Sequence, residues 1–251
     1  MCHDSNSRAP YPPISGGAAT GESIVLKAAD GNEFAAFAAT AENPSGAGMV
    51  ILPDVRGLHA FYEDLALRFA EAGVNAVAFD YFGRTAGVSR RADDFEFWPE
   101  VMKTHPDTIA LDVAAAVDKV REMGATSVFT VGFCFGGRNS INQSARGHGL
   151  AGVVGFYGMV TQRNDEDSDA PINKVSTFEA PVLGLFGGAD AMIGADGIEA
   201  FGKALDGAGV ANELKSYEGA PHSYFDRTFD QFKDACDDSW TRILAFIEAN
   251  G

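Results

Sequence analysis

The stretch Thr130-Val131-Gly132-Phe133-Cys134-Phe135-Gly136-Gly137-Arg138 joins an apolar β-like run, 127–131, to a helix-like run that starts near Gly137. A glycine lies two positions to each side of Cys134. This G-x-nucleophile-x-G pattern is typical of a strand-to-helix elbow, with cysteine where serine is more common. A Cβ at either flanking position would collide with the neighbouring strand or helix. The pattern has two interpretations: a reactive thiol beside the first N–H groups of a helix, or a buried, inert cysteine in a glycine-rich turn.

Apolar runs on both sides of this stretch alternate with segments of helical spacing. The predicted strands cover 23–27, 33–37, 47–52, 74–79, 127–131, 152–156, 182–186 and 213–217, and the predicted helices cover 61–72, 107–123, 195–207 and 229–249. Asp30-Gly31-Asn32 predicts a hairpin turn, and Asp107 predicts a helix cap. Residues 80–106 are predicted to form a loop with short helical pieces.

The alternation of strands and helices indicates an α/β protein with a mostly parallel central sheet flanked by helices. No proline-rich or Gly/Ser-rich linker divides the chain after residue 21, so a single domain is predicted over 22–251. Residues 1–21 contain Pro10, Pro12 and Pro13 and are predicted to form a flexible N-terminal arm.

Composition excludes several classes of function. The formal net charge of −16 over 251 residues argues against nucleic acid or an anionic membrane surface as a partner. Three widely spaced cysteines, at positions 2, 134 and 236, argue against a disulfide framework or a zinc site. No signal peptide or bilayer-spanning run is recognised, so a soluble, cytoplasmic protein is expected, as a monomer or a homodimer.

Three polar residues follow predicted strands at the edge of a parallel sheet where chemistry is expected. Cys134 follows 127–131, Asp190 follows 182–186, and His222 follows 213–217. Nucleophile, acid and histidine in this order are typical of an α/β-hydrolase triad. His222 would take the thiol proton, and Asp190 would orient the imidazole. The N–H groups of Phe135 and Val55 are predicted to form the oxyanion hole.

These residues carry a resemblance to a known family. The chain resembles the dienelactone hydrolase family, a cysteine-using branch of the α/β-hydrolases. The resemblance covers most of 23–250 and includes these stretches: Gly132 to Gly137, Gly187 to Asp190, Pro221 to Tyr224, Pro53 to Gly57, Phe79 to Arg84 and Phe156 to Gly158. It implies an α/β-hydrolase fold and hydrolysis of a small ester or lactone through a thioester, without cofactor or metal. It also implies that an acidic residue gates the thiol, and Asp54 stands where well-studied members have Glu.

Several further residues are candidates for substrate binding. Members of the family bind a substrate carboxylate with arginines, and Arg227 lies one position later than expected, while Arg90 and Arg91 lie in the irregular segment. The predicted substrate-binding set is Arg56, His59, Tyr81, Arg84, Arg138, Tyr157, Tyr224 and Arg227. For the histidine the alternative is a solvated position before a helix, for the aromatic residues ordinary core, and for Arg84 and Arg138 structural ion pairs.

Three functions remain open at this point. The first is a cysteine-dependent hydrolase of small esters or lactones. The second is a non-catalytic binding protein on the same fold, because a fold does not fix a function. The third is a redox-sensing protein that uses the Cys134 thiol, against which the absence of a nearby resolving cysteine counts.

Overall fold

The computed structural model describes residues 3, 4 and 6–251, and Cys2 lies outside the described residues. Within this part of the chain, one eight-stranded sheet runs in the order β1-β2-β4-β3-β5-β6-β7-β8. The strands are β1 Ala19–Lys27, β2 Glu33–Ala41, β3 Ala47–Leu52, β4 Asn75–Phe79, β5 Ser127–Phe133, β6 Gly152–Phe156, β7 Val182–Gly187 and β8 Asn212–Tyr217. The β1–β2 and β2–β4 pairs are antiparallel and every later pair is parallel. The predicted hairpin and the predicted α/β class are confirmed.

The described chain contains seven α-helices. They are α1 Ala60–Glu71, α2 Gly83–Ala86, α3 Phe97–Val101, α4 Pro106–Glu122, α5 Phe135–Gln143, α6 Ala195–Gly207 and α7 Lys233–Asn250. Short 3-10 helices lie at Pro171–Asn173, Val175–Thr177 and Asp230–Phe232. None of the described helices is long and apolar enough to cross a bilayer.

Two helix starts differ from the sequence prediction. The cap of α4 is His105, whose Nδ1 accepts the N–H of Asp107 at 3.2 Å, so the prediction that Asp107 caps this helix was wrong. Pro106 explains the shift of two residues, because proline fits the first helical position and leaves His105 as the cap. Helix α5 begins at Phe135, earlier than predicted, so Cys134 itself is the residue before the first turn.

The two faces of the sheet each bury an apolar cluster. One cluster includes Phe61, Phe69 and Trp240 from α1 and α7, and the other includes Val113 and Val117 from α4. Strands β3 to β7 are buried along their length, apart from half-buried Ser127, which is the pattern of a parallel sheet covered on both faces. This packing leaves the carboxyl ends of the strands as the edge where polar residues converge.

Several described residues of the segment 1–21, for which a flexible arm is predicted, are packed against the domain. Strand β1 already begins at Ala19, and His3, Ser7 and Ala9 are buried. Sequence patterns favoured a loose arm because prolines prevent helix formation there. Two of the hydrogen bonds that hold this segment, from Ser7 to Asp226 and from Tyr11 to Asp237, are to residues more than 200 positions away, which local sequence does not reveal.

Candidate active site

Cys134 occupies a strained turn between β5 and α5. Its φ of 55° and ψ of −113° lie in a region that side chains other than glycine rarely adopt. A Cβ on Gly132 would come within 1.9 Å of the Gly136 carbonyl oxygen, and a Cβ on Gly136 within 2.1 Å of the Leu52 carbonyl oxygen. The turn therefore requires both flanking glycines, and the thiol is half-buried rather than sealed in the core.

His222 and Asp190 form a hydrogen-bonded pair at the carboxyl ends of β7 and β8. Nδ1 of His222 lies 2.6 Å from Oδ2 of Asp190, whose side chain is fully buried. The other carboxylate oxygen of Asp190 accepts the N–H of Met192 at 2.9 Å. With both oxygens bound, the carboxylate is fixed in orientation, and it holds the imidazole in turn.

Cys134 and His222 open onto one cavity with two lobes. The larger lobe, of about 410 Å³, is lined by His3, Asp4, Val55, Arg56, Asp93, Phe97, Trp98, Cys134, Met192 and His222. The smaller lobe, of about 150 Å³, shares Val55, Trp98, Cys134, Met192 and His222 and adds Val101, Phe135, Arg138, Tyr157, Met159, Arg163 and Ile193. Cys134 and His222 line both lobes, so they lie where the two lobes meet.

The loop after β3 brings Val55 to this junction. Strands β3 and β5 are paired with Leu52 opposite Gly132, so the residues after β3 face the elbow. Oδ1 of Asp54 accepts the N–H of Arg56 at 2.8 Å, and the Asp54 carbonyl accepts the N–H of Gly57 at 3.1 Å. This side-chain turn fixes the backbone at Val55, and both Val55 and Phe135 line the smaller lobe.

Asp54 itself contacts His59. Its carboxylate is fully buried, lies 3.9 Å from Nε2 of His59, and does not line either lobe. Burial raises the pKa of this carboxyl, but His59, His3 and the N–H of Arg56 outweigh the burial and leave the pKa below its ordinary value. Burial lowers the pKa of His59 despite the neighbouring carboxylate. The expectation of a solvated or cavity-lining His59 is therefore not met, because the ring packs against Tyr62 under the loop.

Other predicted substrate-binding residues are used inside the fold. Tyr81 donates to the Pro53 carbonyl at 2.8 Å behind Phe135, and Tyr224 is bonded to Ser239 in the core. Arg84 binds Asp30 and Asp112 at the β1–β2 hairpin. None of these described residues lines a lobe. Their aromatic or charged side chains made them candidates for substrate binding, but partners distant in sequence hold them away from the cavity.

The arginines divide between the cavity and the rest of the protein. Arg56 lines the larger lobe, while Arg138 lines the smaller lobe and donates to Asp167 at 2.5 Å. Arg227 is exposed outside both lobes, and its N–H donates to the Arg8 carbonyl at 3.2 Å. Arg91 is buried in a two-pronged bond to Asp80, and Arg90 is exposed and lies 3.4 Å from Glu63. The structure thus places Arg56 and Arg138 at the cavity and the other predicted arginines away from it.

Several cavity residues escaped the sequence analysis. His3 and Asp4 belong to the segment predicted as a flexible arm, and Asp93 and Met192 lie in irregular loops without a motif. Phe97 and Trp98, from the segment predicted as a loop with short helical pieces, also line the larger lobe. Tyr157 lines the smaller lobe as predicted, with its ring centroid 4.9 Å from that of His222. No local signal marks the loop residues, because their position depends on how distant loops meet.

The chain is similar to known proteins in sequence and in fold. The family model described as "Dienelactone hydrolase family" matches residues 34–250. A protein of Saccharolobus solfataricus provisionally named a carboxymethylenebutenolidase is 27% identical over 263 aligned positions, covering 90% of this chain and 98% of that protein. A Yersinia pestis protein of the same provisional name is 28% identical, covering 88% of this chain and 85% of its own length. A crystal structure of a Klebsiella pneumoniae protein, provisionally named a dienelactone hydrolase, superposes with a TM-score of 0.80 at 25% identity and covers 92% of this chain and 99% of that chain.

Proposed function

The chain belongs to the dienelactone hydrolase family, and we propose that it hydrolyses small esters or lactones with Cys134 as nucleophile, His222 as base and acid, and Asp190 as the residue that orients His222. Family membership supports the class of reaction. The named relatives, carboxymethylenebutenolidases among them, support a lactone or ester as the substrate.

One observation carries the assignment of residues. The strained elbow cysteine and the Asp190-bound histidine open onto the same junction between two lobes of one cavity. Backbone strain at a non-glycine residue is maintained only where the surrounding structure enforces it, and such residues cluster at functional sites. An inert core cysteine would not require two glycines packed against neighbouring backbone to reach a cavity.

The first half of the proposed reaction forms a thioester. His222 takes the Cys134 proton on Nε2, because Nδ1 is bound to Asp190. The sulfur attacks the carbonyl carbon, and the carbonyl oxygen becomes an oxyanion held by the N–H groups of Val55 and Phe135. The C–O bond to the leaving group then breaks, and the alkoxide takes the proton from His222. A lactone gives a ring-opened acyl enzyme, and an ester releases its alcohol.

The second half returns the enzyme to its starting state. His222 removes a proton from a water molecule, and the resulting hydroxide attacks the thioester carbon. The C–S bond breaks, the carboxylic acid leaves, and the thiolate recovers its proton from His222. These steps use only groups of this chain and water, so atoms and protons balance over one turnover.

The test compares two cysteine variants with the parent protein. Hydrolysis of p-nitrophenyl acetate is expected to fall by about 10³-fold or more in Cys134→Ala, because the nucleophile is lost. Cys236→Ala is the matched control: Cys236 is buried, burial raises the pKa of its thiol to about 12, and the activity should stay within about twofold of the parent. Equal rates for the parent protein and Cys134→Ala would contradict the proposal.

A further inference from the structure

The N-terminal segment reaches the cavity that holds Cys134. His3 and Asp4 both line the larger lobe, although they lie more than 120 positions before Cys134 in the sequence. Arg56, which lines the same lobe, donates from its guanidinium to the main-chain carbonyl of His3. Part of the wall of the larger lobe is therefore built from this segment and from the Arg56 side chain that it holds.

His3 is anchored by its imidazole, which is fully buried behind the lining. The ring stacks on Phe61 with a centroid distance of 3.9 Å and an interplanar angle of 17°. Nε2 lies 3.2 Å from the hydroxyl of Tyr157, and Nδ1 lies 3.6 Å from the carboxylate of Asp226. Tyr157 in turn packs against His222. The aromatic stack and the two polar neighbours together fix the position of the imidazole.

Further bonds hold the segment along its length. Oγ of Ser7 donates to Asp226 at 2.5 Å, and the Arg8 carbonyl accepts the N–H of Arg227 at 3.2 Å. Tyr11 donates to Asp237 at 2.8 Å, well beyond the residues that line the cavity. Asp226 thus binds the segment at both His3 and Ser7, four residues after His222.

This wall lies outside the part of the chain that defines the family. The family model matches from residue 34 onward, so His3 and Asp4 lie outside the part of the chain that it covers. A wall built from residues outside the range that the family model covers can change which substrates fit a shared reactive centre.

We propose that His3 is a specificity-determining positioning residue: its buried imidazole anchors the N-terminal segment as part of the wall of the larger lobe and limits the size of the group that binds there. The wall also supports Arg56, next to the proposed oxyanion donor Val55. The inference concerns the same site and rests on the proposed function for its meaning in catalysis, but the shape of the cavity can be tested without turnover.

The first measurement compares alkylation of Cys134 by N-ethylmaleimide and N-benzylmaleimide, with the labelled peptide identified by mass spectrometry. In His3→Ala the wall loses its anchor, and the benzyl-to-ethyl rate ratio is expected to rise about fivefold or more. His3→Phe keeps a ring to stack on Phe61, so its ratio should stay near that of the parent protein. Tyr11→Phe, which loosens the same segment away from the cavity, is the matched control and should leave the ratio unchanged.

The second measurement uses p-nitrophenyl acetate and hexanoate. The hexanoate-to-acetate ratio of kcat/KM should rise in His3→Ala, mainly through KM, and to a smaller degree in Asp226→Asn, which weakens the hold on His3 and Ser7 without removing a ring. An unchanged ratio, or an equal fall for both substrates, would overturn the proposal. If His3→Ala does not fold, the hexanoate-to-acetate ratio is compared between Asp226→Asn and the parent protein, and an unchanged ratio there would overturn the proposal. If the parent protein hydrolyses neither ester but His3→Ala still raises the benzyl-to-ethyl rate ratio, the proposed function is refuted while the role of His3 in the wall stands.

Discussion

At the scale of the residue, the assignment depends on how three side chains constrain one another. Cys134 is held at φ 55° by its neighbours, and His222 is held by a carboxylate that accepts two hydrogen bonds. In the pair of His222 and Asp190, the imidazole nitrogen that faces the carboxylate is Nδ1. The other nitrogen then exchanges protons with the thiol in the proposed reaction.

Replacement of Asp190 by asparagine should remove the orientation of His222 while leaving the Cys134 nucleophile in place. We expect kcat for p-nitrophenyl acetate to fall by about 10³-fold with little change in KM, because the amide favours the wrong imidazole tautomer and does not stabilise the imidazolium. Asp206→Asn is the control, since Asp206 is an exposed aspartate whose carboxylate accepts a hydrogen bond from the Asn212 side chain at 2.8 Å. A kcat within about tenfold of the parent value in Asp190→Asn would remove Asp190 from the proposed triad.

Sequence predicts the types of the reactive residues better than their partners. Cys134, Asp190 and His222 could be identified because each follows an apolar run and a glycine-bearing turn. The thiol-gating role of Asp54 stays a prediction; local sequence contains no sign that its carboxylate lies 3.9 Å from Nε2 of His59, five residues later. His3 was missed because its anchors, Phe61, Tyr157 and Asp226, are all distant in the chain.

At the scale of the element, the elbow depends on close backbone packing between β3, β5 and α5. Gly136 has no room for a side chain, because its Cβ would meet two carbonyl oxygens of the β3 end, at 2.1 and 2.2 Å. Backbone atoms at the end of a buried strand have little freedom to move aside. The glycine therefore fixes the distance between the nucleophile and the loop that carries Val55.

Gly136→Ala is expected to lower the free energy of unfolding by about 4 kcal/mol or to prevent soluble expression, since the strand and the helix must separate. Gly207→Ala in α6 is the matched control: a Cβ there meets nothing within 4 Å, and the change should stay within about 1 kcal/mol. Urea unfolding of both variants provides the measurement. Equal stability of the two variants would show that the elbow tolerates a wider spacing than the structure indicates.

The attachment of the N-terminal segment should show in the pH dependence of stability. Burial alone raises the pKa of Asp226, but His3, Ser7 and the N–H of Thr228 outweigh it and lower the pKa to about 2 from 3.8. The folded state thus keeps this carboxylate ionised where the unfolded chain takes up a proton. The resulting stabilisation is present above pH 3.8 and disappears as the pH falls towards 2.

Unfolding free energies of the parent protein and Asp226→Asn should therefore differ by on the order of 2 kcal/mol at pH 5 and converge as the pH falls towards 2. Asp118→Asn, which changes a side chain that is 74% exposed, should give a small difference that hardly varies with pH. A gap for Asp226→Asn that is constant over this range would contradict the proposed charge-dependent attachment.

At the scale of the whole molecule, the fold was the most predictable property. The runs 47–52 and 152–156 and the helix 195–207 have the predicted bounds, because proline, glycine and polar turns delimit apolar runs that a parallel sheet buries. The segment 80–106 could be predicted only as irregular, and it supplies Asp93, Phe97 and Trp98 to the cavity. The candidate reactive residues could be predicted because they follow strands. The shape of the cavity could not, because it depends on loops whose contacts are distant in sequence.

The net charge of −16 should affect which esters approach the cavity. For an ester that carries a carboxylate, kcat/KM is expected to rise about twofold or more when salt increases from about 10 to 200 mM, because screening weakens long-range repulsion. The neutral methyl ester of the same compound is the control and should respond little. An identical salt response for both esters would show that Arg56 and Arg138 cancel the field of the whole protein at the cavity.

The central claim is that turnover passes through an acyl group on Cys134. The direct measurement is rapid acid quenching during hydrolysis of p-nitrophenyl acetate, followed by peptide mass spectrometry and treatment with hydroxylamine. The account predicts one acetyl group on the peptide that contains Cys134, removed by hydroxylamine and absent from Cys134→Ala. Continued turnover with no acetyl group on Cys134, or with the acetyl group on another residue, would contradict it.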